Sequence, residues 1–159
     1  MISIQNDKAY IVDVSRLEIA IQTVIERHDV PDTSSVIVVL TTNDEVKLLN
    51  ATHRGIDAPT DVLSFPADPL PPELREENEH YLGDLVIAYP YALAQAEKLN
   101  HPLDNSLCLL VVHGTLHLLG YDHDTPENRA EMWAEQAQVL AILDIDDAIV
   151  PALEDSDHA

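Results

Sequence analysis

Cysteine is nearly absent. Cys108 is the only one in 159 residues, which excludes a disulfide framework and a thiolate metal cluster and leaves histidine and carboxylate to build any metal site. Long apolar runs are missing as well, so no stretch has the roughly 20 residues a membrane-crossing helix needs. The opening segment contains Gln5, Asn6, Asp7 and Lys8 and lacks the apolar core of a signal peptide, so a cytoplasmic protein with no membrane partner is expected. Basic residues are scarce too. Eight Lys plus Arg stand against 29 Asp plus Glu, giving a formal net charge of -21. Such a surface repels anionic lipid and most nucleic acid, which weighs against generic DNA or RNA binding.

The length suits one domain with its own core, and 46% hydrophobic content is ordinary for a globular chain. No repeat or linker divides the sequence. Residues 1–148 read as a single metallohydrolase-like domain and 149–159 as an acidic C-terminal tail. A second acidic stretch, Glu73, Glu76, Glu77 and Glu79, reads as solvated surface.

Periodicity gives the elements. Leu17, Ala20, Ile21, Val24 and Ile25 lie on one stripe of a helix over Arg16–Arg27, with Ser15 as its N-cap. Val36–Leu40 is a β-branched run and reads as a buried strand. Thr42 or Asn43 starts a helix through Asn50. Val62–Phe65 reads as a strand, Pro66–Leu82 as a surface loop, and Asp84–Ala88 as another strand. A helix over Tyr91–Leu99 is followed by one from Asp104, as its cap, to Leu119; this second helix is apolar all round and so buried. Gly120 stops it, and Pro126 opens a last helix to about Leu143. The expected fold is α+β, a small mixed sheet packed with about five or six helices.

The buried helix carries the chemistry. His113 and His117 are four residues apart and project from one helical face, where both imidazoles can reach one ion. Gly120 reverses the chain, and His123 follows closely enough to return as a third ligand. Three protein nitrogens leave a fourth position open, the arrangement of catalytic zinc. The spacing matches the metzincin motif H-E-x-x-H-x-x-G-x-x-H, but Gly114 stands where that motif has its glutamate base, which puts peptide hydrolysis in doubt.

The string His113-Gly-Thr-Leu-His117-Leu-Leu-Gly120-Tyr-Asp-His123 closely resembles the signature of the YbeY family of bacterial endoribonucleases. The block from Leu49 and Asn50 through Arg54, Asp57, Pro59, Thr60 and Asp61 to Ser64, Phe65 and Pro66 resembles a second family segment, and Gly83-Asp84-Leu85-Val86-Ile87 a third. The resemblance implies a metal-dependent endoribonuclease that prefers single strands and acts in the maturation of 16S and other ribosomal RNA and in ribosome quality control. It implies metal ligands at His113, His117 and His123 and a functional arginine at Arg54. Its partners would be ribosomal RNA, a small-subunit ribosomal protein and an Era-type GTPase. One Zn2+ per chain is expected, with Ni2+ as an alternative.

A guanidinium suits two phosphate oxygens at once, so Arg54 stands out among so few basic residues. Asp61 and Ser64 could orient substrate or cap a turn. Asp84 and Asp122 could support a ligand histidine or serve only the local chain. His53 is a weak catalytic candidate; Thr115 is expected to face away, and Cys108, Met132 and Trp133 to pack in the core. His28, His80, His101 and His158 are expected at the surface. Two other readings remain open: a metalloprotease-like hydrolase, and a non-enzymatic ribosome-associated zinc protein.

Overall fold

The computed structural model describes residues 1–67 and 80–149. Four strands, β1 (Ile2–Gln5), β2 (Ser35–Thr41), β3 (Val62–Pro66) and β4 (Tyr81–Ala88), form one mixed sheet in the order β1-β2-β4-β3. β1 and β4 run parallel to β2, while β3 lies antiparallel to β4 along the edge. Five α-helices accompany them among the described residues: α1 (Val14–Glu26), α2 (Asn43–Arg54), α3 (Tyr89–Leu99), α4 (Leu103–Leu118) and α5 (Pro126–Ile142). The α+β class and mixed sheet are as expected.

The sheet separates two apolar clusters. In β2, Val36, Val38 and Leu40 join the large cluster with α1 and α4, while Val39 packs with the smaller cluster around Val46 of α2. The run that reads as uniformly apolar is therefore fully buried on one face and half-buried on the other. α4 is the central element. Every residue from Ser106 to Leu116 is buried, and each such leucine contributes about 1.5–3 kcal/mol of apolar burial.

Several boundaries differ from expectation. β1 is missing from the sequence reading because only Ile2 and Ile4 alternate before the polar Asn6, Asp7 and Lys8. α1 is capped by Asp13, whose carboxylate accepts from the Arg16 amide, while the Ser15 hydroxyl donates to that same carboxylate. α4 begins at Leu103, so Asp104 lies within the first turn and accepts from the Asp13 amide instead of capping. α2 runs a full turn past Asn50 and ends on Arg54. Most of the expected loop between Pro66 and Leu82, including Glu73 to Glu79, lies outside the described residues, as do residues 150–159 and His158. At the carboxyl end of the described chain, Ile149 packs into the large cluster.

Candidate metal centre

The site is built where α4 ends. Gly120, at φ 101°, takes the left-handed conformation; its amide donates to the His117 carbonyl at 3.0 Å and the Tyr121 amide to the Leu116 carbonyl at 3.0 Å. This paired closure of a helix C-terminus is most accessible to glycine. It turns the chain back so that His123 faces the helix it has just left. His113, His117 and His123 each offer a ring nitrogen within 4.8 Å of the others.

Outer hydrogen bonds aim two of the rings. His113 Nδ1 donates to Oε1 of Gln136 at 3.1 Å, and His117 Nδ1 donates to the Tyr121 carbonyl at 2.9 Å. With both Nδ1 atoms protonated, both Nε2 atoms carry lone pairs, and they face each other 3.1 Å apart. Two acceptors so close repel unless a cation lies between them. Two nitrogens bound at about 2.0–2.1 Å to one tetrahedral zinc would stand about 3.3–3.4 Å apart, so the donor set fits such an ion. The third ring, that of His123, has a buried Nε2. Burial, first of all, lowers the His117 pKa; the charges of His123 and Arg54 act in the same direction, and the Tyr121 carbonyl and Asp122 oppose them. A neutral imidazole is the form that binds metal.

Arg54 sits on α2, which packs against the other face of the sheet. It is exposed, at the end of α2, near enough for its charge to act on His117. Asn50, one turn earlier and fully buried, accepts from Arg54 Nη1 at 3.4 Å while its own amide donates to the Ala58 carbonyl at 2.8 Å. Asn50 thereby ties the arginine to the loop that leads into β3. The edge strand β3 separates α2 from α4, and an open cleft of about 390 Å³ beside it is lined by Ser64, Pro66, His117, Gly120, Tyr121 and Asp122.

The remaining candidates divide. Ser64 lines the cleft and its hydroxyl donates to the Gly114 carbonyl at 3.4 Å. Asp122 is exposed and accepts from the His123 amide at 2.8 Å, so it shapes the turn that carries the third ligand. Asp61 is fully buried and accepts from the Val62 amide at 2.7 Å. It lies just ahead of β3, three residues before Ser64. Asp84 accepts from the Tyr81 hydroxyl. Leu85 meets α4, so the alternation of β4 turns Asp84 toward α2, away from the histidines. His53 stacks edge-on against Phe65 at 5.1 Å. Thr115 donates to the Val111 carbonyl within its own helix, and Cys108 is buried, which pushes its thiol up to about 11.

Three contributors escape the sequence reading. Gln136 is fully buried on α5, at a position in phase with Met132, Val139 and Leu140 where an apolar residue would be expected. A polar residue in an apolar stripe was the available signal. Trp133 packs against the large cluster as expected, and its ring also stands edge-on to both His113 and His123 at 5.7 Å, with Arg129 over its face at 4.7 Å. His28 is half-buried, its Nε2 bonded to the Tyr121 hydroxyl at 3.1 Å.

Comparison with known proteins identifies the family. The profile of the family described as endoribonuclease YbeY matches residues 2–144. An endoribonuclease YbeY of an Exiguobacterium species is 41% identical over 86% of this chain and 92% of its own length. That of Roseiflexus castenholzii is 39% identical over 85% of this chain and 86% of its own. The solution structure of TM1509 from Thermotoga maritima superposes with a TM-score of 0.58 at 31% identity, covering 90% of this chain and 89% of that one. The chain belongs to the endoribonuclease YbeY family.

Proposed function

We propose that this protein is a metal-dependent endoribonuclease that cuts single-stranded RNA in the maturation of 16S and other ribosomal RNA and in ribosome quality control, in the cytoplasm, with one Zn2+ per chain. The observation that carries this reading is the cluster of three imidazoles, with a guanidinium near enough for its charge to act on one of them, in a chain of the endoribonuclease YbeY family. Three nitrogen donors with an open fourth position suit catalytic zinc; Ni2+ is the competitor the same imidazole set would accept.

When bound, such an ion supplies Lewis acidity toward a phosphoryl oxygen and activation of water at neutral pH. The chain does the rest. His113, His117 and His123 would hold the ion, with Gln136 and the Tyr121 carbonyl fixing two of the rings. Arg54 would grip the phosphate as charge grows on its oxygens, in an orientation set by Asn50. Ser64 lines the floor on which a single strand would lie, and Asp122 holds the backbone of the third ligand. Gly114 argues against protease chemistry. A Cβ there would come 2.7 Å from a methyl carbon of Leu85, so the glutamate of the metzincin pattern has no room on this packed face. Ribosomal RNA, a small-subunit ribosomal protein and an Era-type GTPase are the partners this reading brings with it.

The test is cleavage of a single-stranded ribosomal RNA fragment by the purified protein beside Arg54→Ala. Chelator should abolish cleavage, and Arg54→Ala should lower it by about 10²-fold or more, the loss typical of one transition-state charge contact. Equal cleavage by both proteins, or none by the parent in the presence of zinc, would overturn the assignment.

A further inference from the structure

We propose that Gln136 is a positioning residue for the metal, holding His113 in the one tautomer that can ligate. This rests on the metal-centre reading above. His117 is oriented by a backbone carbonyl, which no substitution removes. His113 is oriented by a side chain from a different helix, so its tautomer depends on what α5 presents. The Gln136 carboxamide is fully buried and directional. Its Oε1 lies 3.1 Å from His113 Nδ1, and its Nε2 is buried without a hydrogen-bond acceptor among the described residues.

That imbalance is informative. An orphaned buried amide donor opposes folding, which offsets the hydrogen bond that the other end of the same side chain makes. A glutamine kept for stability alone should have both its ends satisfied. Here only the end facing the histidine is. The acceptor at Nδ1 keeps the proton there and leaves the Nε2 lone pair facing His117, where it would be free to bind an ion. A neutral amide does this without adding charge to a centre that must attract a phosphate. Because Trp133 walls the same ring one turn earlier on α5, the His113 ring has little freedom to find another partner.

The test compares Gln136→Leu, Gln136→Met and Gln136→Glu with the parent, measuring zinc affinity by competition with a chromophoric chelator and thermal melting of the metal-free chains. The apolar variants should bind zinc about 10–100-fold more weakly, the loss typical when a ligand histidine loses its outer partner, yet melt close to the parent temperature when metal-free, because losing the Nδ1 acceptor and removing the orphaned amide donor act in opposite directions. Gln136→Glu, which keeps an acceptor at Nδ1, should recover binding to within a few-fold of the parent. The hydrogen-bonded Nδ1 proton of His113 should be visible by NMR in the parent and lost in the Leu variant. Parental zinc affinity in Gln136→Leu would overturn the inference. So would a Glu variant as weak as the Leu variant, or apolar variants that fail to fold or melt well below the parent when metal-free. A parent that binds no zinc would remove the metal-centre reading and this inference with it, and RNA cleavage plays no part in either result.

Discussion

At Gly114 a single hydrogen decides how closely helix α4 can approach the sheet. An added Cβ would lie 2.7 and 3.2 Å from the two methyl carbons of Leu85 and 3.3 Å from the Ser64 hydroxyl. Leu85 is itself fully buried, so its methyl groups can give way only by displacing packed neighbours. Overpacking of this kind costs about 1–3 kcal/mol, so Gly114→Ala should lower the unfolding free energy by that amount, read as a lower urea midpoint with an unchanged slope. A variant as stable as the parent would mean that the helix shifts freely on the strand. The same packing separates what could be read at this scale from what could not. The histidine spacing follows from helix geometry within a few residues, so the triad was legible. The direction of Asp84 was not, because a one-residue step along a strand turns a side chain to the other face, and nothing local says which face meets the metal. Gln136 and Trp133 escaped for a related reason: their role depends on α5 crossing α4, a contact made across more than twenty residues of intervening sequence.

Helix α4 and the turn after it make one element of the site, and α1 and α5 brace it. The Tyr121 hydroxyl bonds to His28 at the end of α1, and Arg27 beside it pairs with Glu135 of α5 at 2.7 Å. An ion joining His113 and His117 on the helix to His123 beyond Gly120 would close the same turn from inside. Removing it should therefore destabilise the fold. At free zinc one hundred times the dissociation constant, linkage supplies about 2.7 kcal/mol. For a chain of this size that corresponds to a melting temperature higher by about 5–11 °C. A melt unchanged by chelation, with metal loss verified by elemental analysis, would contradict the closure. Acid should act in the same direction on the metal-free chain. Burial lowers the His117 pKa, so the unfolded chain takes up the proton first, and the neutral ring's contribution, present above about pH 6.5, is lost as pH falls. The stability difference between the metal-free parent and His117→Gln should shift accordingly between pH 7.5 and 5.5. Elements with strong periodicity or caps, such as α1, α3, α4 and α5, were legible in outline. The extension of α2 to Arg54 was not, because Thr52, His53 and Arg54 continue no apolar stripe; the turn is held instead by Asn50, whose burial comes from the loop folding over it.

A net charge of -21 sets the behaviour of the whole molecule toward a polyanionic substrate. Long RNA meets net repulsion, offset near the metal centre by the charge of Arg54 and by the charge a bound divalent ion would add. Affinity should then come from few phosphate contacts. For single strands each contact contributes about -0.7 to the slope of log K against log salt, so a slope of about -1 to -2 is expected for the isolated zinc-loaded protein, with weak binding at physiological salt. The acidic surface that disfavours free RNA suits a basic ribosomal protein, and such a partner would bring the substrate to the cleft at high local concentration. Fluorescence anisotropy with a labelled single-stranded ribosomal fragment checks this, first with the protein alone across a salt series and then with a basic small-subunit ribosomal protein added. Tight binding by the protein alone at physiological salt, or a steep slope near -5, would require a broad basic face that eight Lys plus Arg against 29 Asp plus Glu do not provide, and delivery by a partner would no longer be needed. Weak binding that the ribosomal protein strengthens would mean that the catalytic cleft supplies local chemistry while the acidic surface selects where in the cell that chemistry reaches RNA.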